Sequence, residues 1–484
     1  MLLQSNHNLY SYDHQSKYLF PLHPIVAFLA LETRKGKNVD LVEVEKNFIK
    51  DYSNKEINLF YQQYLYLKEQ LCFEANIHKT YGIAGGDWIR ESFYSKKQIV
   101  FEVTEGCNLQ CTYCAYGDFY MNRGERKGKT LDFALAKTLL SHFIPIWKEA
   151  VANKTIKQIA IGFYGGEPLL NYDLITQIVE YCESFGFEKK FFRFSMTTNG
   201  ILIKKYRDFL IDKNIHITVS LDGNKENNSY RVLKTGDNSF DKIIDGVNSI
   251  KEKNEEYFKK NIEFITVIHD KNSLENTFNF IKNYYGKIPS ISPLSTENVN
   301  PLKQEAFDKM YKDFMSDVTG DFLLSLTDSE LGKYDFLSTL RKNCQHHFEY
   351  FMSVYNAKRK MPTLPTGTCV PFSRKTFLTT EGKILPCEMI SINHTIGNVD
   401  EKKGITIDFD AIADYFNSTT SKYKKECENC YNKNGCGFCS CQLQITNYEL
   451  RTMTQSLTVF RSYALTVFFA SENSNRHTKL SANP

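Results

Sequence analysis

From about Gln98 to Pro293, short runs rich in Ile, Val, Phe and Thr alternate with longer stretches whose apolar residues recur at helical spacing. That alternation of period 2 and period 3.6 predicts repeated βα units. The expected strands are Ile99–Thr104, Gln158–Tyr164, Phe191–Thr197, Ile215–Leu221, Ile262–Val267 and Ile288–Ser292, with helices such as Asp132–Trp147, Asp173–Phe185 and Phe240–Lys253 between them. Six such units predict an α/β fold in which a parallel sheet curls into a partial (β/α)6 TIM barrel, about three quarters of the eight-unit form. In folds of this kind the loops that follow the strands carry the chemistry.

The flanking segments read differently. Residues 1–92 predict a small α+β domain, with a hairpin around Asp13–Ser16 and helices near Leu41–Asp51 and Leu59–Leu71. The barrel is expected over 93–320, a helical bridge over 321–365, a turn-rich, cysteine-dense domain over 366–445, and a helical tail over 446–484. In the cysteine-dense part, metal rather than apolar burial is expected to organise the chain.

Composition narrows the classes. The chain has 484 residues, 42% of them apolar, and a formal charge of +4. That length supports several independent cores without disulfides. The charge is too small to argue for nucleic acid. The most apolar stretches, Pro21–Leu31 and Ala464–Ala470, fall short of the roughly 20 residues that span a bilayer. Met1–Tyr10 lacks a secretory signal pattern, so no membrane is expected and the cytoplasm is the expected location.

In a reducing compartment, clustered cysteines point to metal or redox chemistry. Of 13 cysteines, three lie at Cys107, Cys111 and Cys114 and seven between Cys369 and Cys441; Cys72, Cys182 and Cys344 stand apart. The first three directly follow the first strand. Three thiolates leave one iron of a cubane cluster open to a small molecule, and chemistry at that iron is implied. A zinc site completed by a distant residue is the alternative. Polar or glycine-rich elements close the next strands: Gly165-Gly166-Glu167-Pro168, Thr197-Thr198-Asn199-Gly200 and Ser220-Leu221-Asp222-Gly223. Each alone has a structural explanation as a turn or a cap.

Jointly, over about residues 98–293, these motifs resemble the radical S-adenosylmethionine superfamily. The resemblance implies that Cys107, Cys111 and Cys114 hold a [4Fe–4S] cluster whose open iron is chelated by S-adenosylmethionine. Tyr113 is implied to pack on the adenine. Gly165, Gly166, Glu167 and Pro168 are implied to meet the methionine amino group, with Glu167 accepting from the ammonium and the glycines admitting the ligand. Ser195, Thr197, Asn199, Ser220 and Asp222 become candidate polar contacts. Arg231 resembles the family's carboxylate-binding arginine, with a surface salt bridge as its alternative.

The later cysteines, Cys369, Cys387, Cys427, Cys430, Cys436, Cys439 and Cys441, resemble the SPASM extension, which implies two auxiliary [4Fe–4S] clusters. Two fully ligated cubanes need eight cysteines; Cys344, an open iron or an iron bound by another side chain makes up the difference. Cys369 and Cys387 are implied on one cluster and Cys427, Cys430 and Cys436 on the other. Cys439 and Cys441, whose spacing departs from the usual pattern, are left unassigned between them. A zinc ribbon on Cys427, Cys430, Cys436 and Cys439 is a competing reading.

Residues 1–92 resemble, in pattern only, the winged-helix-like leader-recognition domains of ribosomal-peptide maturases, in which a strand edge receives a leader by β-augmentation. A plain cap on the barrel is the alternative. Together the resemblances imply an oxidoreductase that cleaves S-adenosylmethionine reductively to a 5′-deoxyadenosyl radical and abstracts hydrogen from a ribosomally made precursor peptide, installing a thioether or carbon–carbon crosslink. The implied partners are a precursor peptide with its leader and an electron donor such as flavodoxin or ferredoxin. A maturase of folded proteins, of the sulfatase-maturing type, is the near alternative; a zinc-organised binding module or an electron carrier is the alternative from another class. No residue beyond the cluster ligands is assigned to proton transfer.

Overall fold

The computed structural model describes residues 2–4, 9–13, 18–69, 84–95, 98–121, 128–296, 299–312, 322, 325–327, 330, 369–388 and 390–422. Cys72, Cys344, Cys427, Cys430, Cys436, Cys439 and Cys441, nearly all of the expected bridge and the whole expected tail lie outside them.

The chain opens with β1 (Leu2–Gln4), β2 (Leu9–Asp13) and β3 (Tyr18–Pro21), an antiparallel sheet in that order. The β2–β3 pairing, with Asp13 opposite Tyr18, is the expected hairpin. Three helices follow: α1 (Pro24–Arg34), α2 (Leu41–Phe48) and α3 (Asn54–Glu69). Pro24 stands in the first turn of α1, where no amide partner is needed, and the Asp40 carboxylate caps α2 by accepting from the Glu43 amide at 2.9 Å. Ile25, Val26, Leu29, Val44, Ile57 and Tyr64 close a core of their own.

α4 (Gly86–Tyr94) lies within the span expected for the first domain, yet Ile89 and Phe93 are buried in the barrel's core. Phe93 packs against Phe143, Phe372 and Phe409.

The expected βα alternation follows, as β4 (Gln98–Thr104), α5 (Phe133–Ala152), β5 (Ile159–Gly165), α6 (Tyr172–Glu183), β6 (Phe192–Thr198), α7 (Ile203–Asp212) and β7 (His216–Ser220). It continues through α8 (Phe240–Lys253), α9 (Glu255–Asn261), β8 (Ile262–Ile268), α10 (Leu274–Tyr285), β9 (Ser290–Pro293) and α11 (Gln304–Met310). β4 to β9 pair in sequence order, all parallel. Alternate residues such as Phe194 and Met196, or Ile217 and Val219, are buried beneath the helices. Their neighbours Ser195, Thr197, Thr218 and Ser220 fall on the opposite, lumen face.

The C-terminal segment extends this same sheet. β10 (Thr376–Leu378) runs parallel to β4, and β11 (Lys383–Leu385), β12 (Gly397–Asp400) and β13 (Gly404–Thr406) add antiparallel strands, before α12 (Phe409–Ser421) packs on α4. Among the described residues the sheet thus has ten strands, mixed and open rather than closed. Here the expectation that metal organises the region is corrected for 376–421. Phe377, Leu378, Ile384, Leu385, Ile412 and Phe416 are buried, and apolar burial is what holds these elements on the barrel.

Candidate active site

The loop after β4 is pinned by backbone hydrogen bonds. The Gln110 amide donates to the Val232 carbonyl at 2.8 Å and the Thr112 amide to Tyr230 at 3.1 Å, so the segment between the cysteines lies as a short antiparallel ribbon against residues 230–233. Within the loop the Cys114 amide closes on the Cys111 carbonyl at 3.1 Å. Cys107, Cys111 and Cys114 are thiols, not disulfides, and all are partly exposed. The Cys107 sulfur accepts from the Leu109 amide at 3.4 Å and from Asn199 Nδ2 at 3.7 Å.

The glycines at the end of β5 are set against the cysteine loop. A Cβ on Gly165 would lie 2.1 Å from the Thr104 carbonyl oxygen, and one on Gly166 would lie 2.1 Å from that of Gly106. Gly165 also has φ +134°, which side chains resist. The Gly166 and Glu167 amides donate to those two carbonyls, each at 2.8 Å. The close approach that demands glycine is therefore to the root of the cysteine loop.

Glu167 likewise departs from expectation. Its side chain is fully buried: Oε1 accepts from Thr198 Oγ1 at 2.8 Å and the Leu169 amide at 3.0 Å, and Oε2 from the Asn199 amide at 2.8 Å. It ties the end of β5 to the end of β6, and Pro168 opens the short 3-10 turn that follows it. Burial pushes its carboxyl above the ordinary value, and the three donors only partly offset this. Asn199 in turn donates to Asn108 Oδ1 at 2.7 Å, linking the β6 end to the cysteine loop.

Asp222 and Arg231 form a buried bidentate pair, with Nε to Oδ2 and Nη2 to Oδ1 each 3.0 Å. The carboxylate that Arg231 grips is one of the chain's own, and the pair is buried, which a surface salt bridge does not describe. Oδ1 also accepts from the Val267 amide at 3.0 Å, and Tyr113 donates to Oδ2. Burial alone would raise the Asp222 carboxyl, but the Arg231 charge and the contact with His269 carry it down to about 2. Burial pushes the Cys111 thiol up to about 12 against the pull of Arg231.

Tyr113 is buried. Its ring lies 5.4 Å from the Arg231 guanidinium and 5.8 Å from the His269 ring. Ser195, Thr197 and Ser220 line the lumen below. Sequence reasoning passed over His269, which is fully buried with Nε2 3.7 Å from Asp222, and Asn108. Both stand on the strand-end rim, and that position was the available signal.

Cys387 follows β11 on the sheet's extension and is partly buried, whereas Cys369 is exposed. Among the described residues no three His, Cys, Asp or Glu side chains converge at the spacing of one metal ion. The thiols on the first loop suit a cluster that gives each its own iron. No helix among the described residues is long and apolar enough to cross a membrane.

Residues 101–281 match the radical SAM superfamily model. The chain is 24% identical over 346 residues to a cysteine-type anaerobic sulfatase-maturating enzyme of Clostridium novyi, covering 69% of this chain and 85% of that one. It is 28% identical over 161 residues to the radical SAM cyclopropyl synthase TigE of Paramaledivibacter caminithermalis, covering 33% of each chain. The solved structure of native anSMEcpe with bound AdoMet superposes with a TM-score of 0.53 at 18% identity, covering 78% of this chain and 99% of that one, a likeness of fold. With the thiol loop on the rim of a partial barrel, the match identifies residues 101–281 as a radical SAM domain, whose cofactors are S-adenosylmethionine and a [4Fe–4S] cluster.

Proposed function

We propose that this enzyme is a peptide maturase: residues 107–114 hold the S-adenosylmethionine cluster, and the target is a residue of a ribosomally made precursor peptide carrying a leader. When bound, the cluster and S-adenosylmethionine supply a 5′-deoxyadenosyl radical for hydrogen abstraction. The protein's own part is to fix the thiol loop, through the 230–233 ribbon and the glycine contacts, and to orient the substrate over a polar lumen. Cys107, Cys111 and Cys114 are the proposed ligands; Tyr113, Asn199 and the lumen hydroxyls of Ser195, Thr197 and Ser220 are the proposed cofactor contacts. Glu167, Asp222 and Arg231 are positioning residues.

One observation carries the peptide reading. Among the described residues the first elements are a three-stranded sheet, with β1 and β3 at its edges, and three helices that close a core of their own. An edge strand offers unpaired amides and carbonyls to an extended leader. The proposed domains are accordingly a recognition unit, a barrel and a SPASM region with two auxiliary clusters, Cys369 and Cys387 on one of them. The product would be a thioether or carbon–carbon crosslink, with flavodoxin or ferredoxin as reductant.

A second reading, a maturase of folded proteins, is favoured by the match across 85% of the sulfatase-maturating relative. Removal of residues 1–83, which leaves α4 on the barrel, separates the two. The leader reading expects peptide affinity to be lost while uncoupled formation of 5′-deoxyadenosine persists; unchanged affinity favours the folded target. Alanine at Cys107, Cys111 and Cys114 together is expected to abolish cleavage of S-adenosylmethionine, and cleavage that survives overturns the whole assignment.

A further inference from the structure

The first cysteine loop and the C-terminal cysteine segment meet at one buried side chain, Glu102. It lies on β4, where Ile99, Phe101 and Val103 belong to the helix-facing core and Val100 packs instead with Phe377, Leu385 and Tyr164. By the same alternation Glu102 faces away from the helices. Its Oε1 accepts from the Tyr116 hydroxyl at 2.7 Å, two residues beyond Cys114. Its Oε2 accepts from the Thr380 amide at 3.2 Å, in the turn between β10 and β11 that leads to Cys387. Tyr116, Glu102 and Thr380 are all buried. A second tie runs beside it: Glu105 Oε1 accepts from Thr380 Oγ1 at 3.1 Å, and Lys129 pairs with Glu381.

We propose that Glu102 is a positioning residue that fixes the first cysteine loop and the Cys387 hairpin to a single carboxylate. Thr380 lies 278 residues from Glu102 in the chain. A connection of that length sets no distance by itself; the pairing of β10 with β4 aligns the strands, and two hydrogen bonds to one buried carboxylate set the loop and the turn at their ends. A metal site on the hairpin is thereby held at one separation and orientation from the thiol loop, as electron transfer between them requires. The inference rests on the proposed auxiliary cluster at Cys369 and Cys387.

The experiment compares reconstituted holoenzyme with the Glu102→Ala, Glu102→Gln and Tyr116→Phe variants. It reads amide hydrogen exchange of 111–121 and 376–388, iron per chain, and microwave power saturation of the reduced first cluster with S-adenosylmethionine bound. Glu102→Ala is expected to speed exchange about tenfold in both segments together and to shift the saturation, with iron unchanged. Tyr116→Phe is expected to act on 111–121 alone. Glu102→Gln keeps an acceptor for Tyr116 but turns an N–H toward the Thr380 amide, so it is expected to act on 376–388; it serves if the alanine variant is insoluble. Faster exchange in one segment only with Glu102→Ala, in neither, or in both with unchanged saturation overturns the proposal. A wild-type count near four irons instead of about twelve overturns the auxiliary clusters, and exchange still judges the shared anchor.

Discussion

Asp222 and Glu167 stand on the same rim, each a carboxylate with no exposed surface, and their acidities move in opposite directions. Asp222 faces a guanidinium that grips both of its oxygens, and the cation more than repays the loss of water. Glu167 is met only by neutral donors, two backbone amides and a hydroxyl, which repay part of that loss. Burial therefore does not by itself decide the charge of a group; the partner does. The difference also separates their tasks. Asp222 holds Arg231, whose backbone neighbours form the ribbon under the cysteine loop, while Glu167 staples β5 to β6.

Asp222→Ala leaves a buried guanidinium without its counter-ion, and a loss of about 3–5 kcal/mol is expected, read as a lower thermal midpoint of the cluster-free protein. Iron retention at Cys107, Cys111 and Cys114 should fall with it, because Tyr113 loses its acceptor as well. The double variant Asp222→Leu, Arg231→Met tests whether the charge is the cause. It should recover at least half of the stability lost in Asp222→Ala, and no recovery would mean that the geometry of the hydrogen bonds matters more than the ion pair.

Glu167→Gln should cost less, about 1–3 kcal/mol, since its amide nitrogen meets a backbone or hydroxyl donor in place of an acceptor. Thr198→Val, which removes one neutral donor, should cost about 1 kcal/mol and push the Glu167 carboxyl higher still.

The pH dependence sharpens the contrast. Asp222 is depressed from 3.8 to about 2, so the stability it contributes is present above 3.8 and lost as pH falls toward 2. Glu167 is raised, so its protonated form suits the folded state, and the penalty for ionising it grows as pH rises through the ordinary carboxylate value. Wild-type protein should therefore lose more stability than Asp222→Asn between pH 4 and pH 2, followed by thermal midpoint; parallel curves would remove the ion pair as the source.

Much of the barrel was legible because its signal is local. Strands such as β4 and β8 are short runs rich in Ile, Val and Phe between helical patterns, and each begins within two residues of its expected start. The cysteine loop was legible because its spacing is carried by eight consecutive residues. β10 to β13 were not, since strands of three or four residues carry too little periodicity, and their place beside β4 depends on pairing with a strand far away in the chain. The same limit hid α4, whose apolar face reads alike whichever core receives it.

The sequence by itself determined the alternation that builds the partial barrel, the three thiols on its first loop and the polar elements on its rim, all written in neighbouring residues. Only the tertiary structure decided which partner each rim residue takes. Gly165 and Gly166 press on the loop root, Glu167 on β6, and Arg231 on Asp222, where the resemblance had pointed each toward a cofactor. A carboxylate or guanidinium binds whatever complementary group folding brings within 3 Å, and that depends on burial and on strand order, which no local pattern encodes.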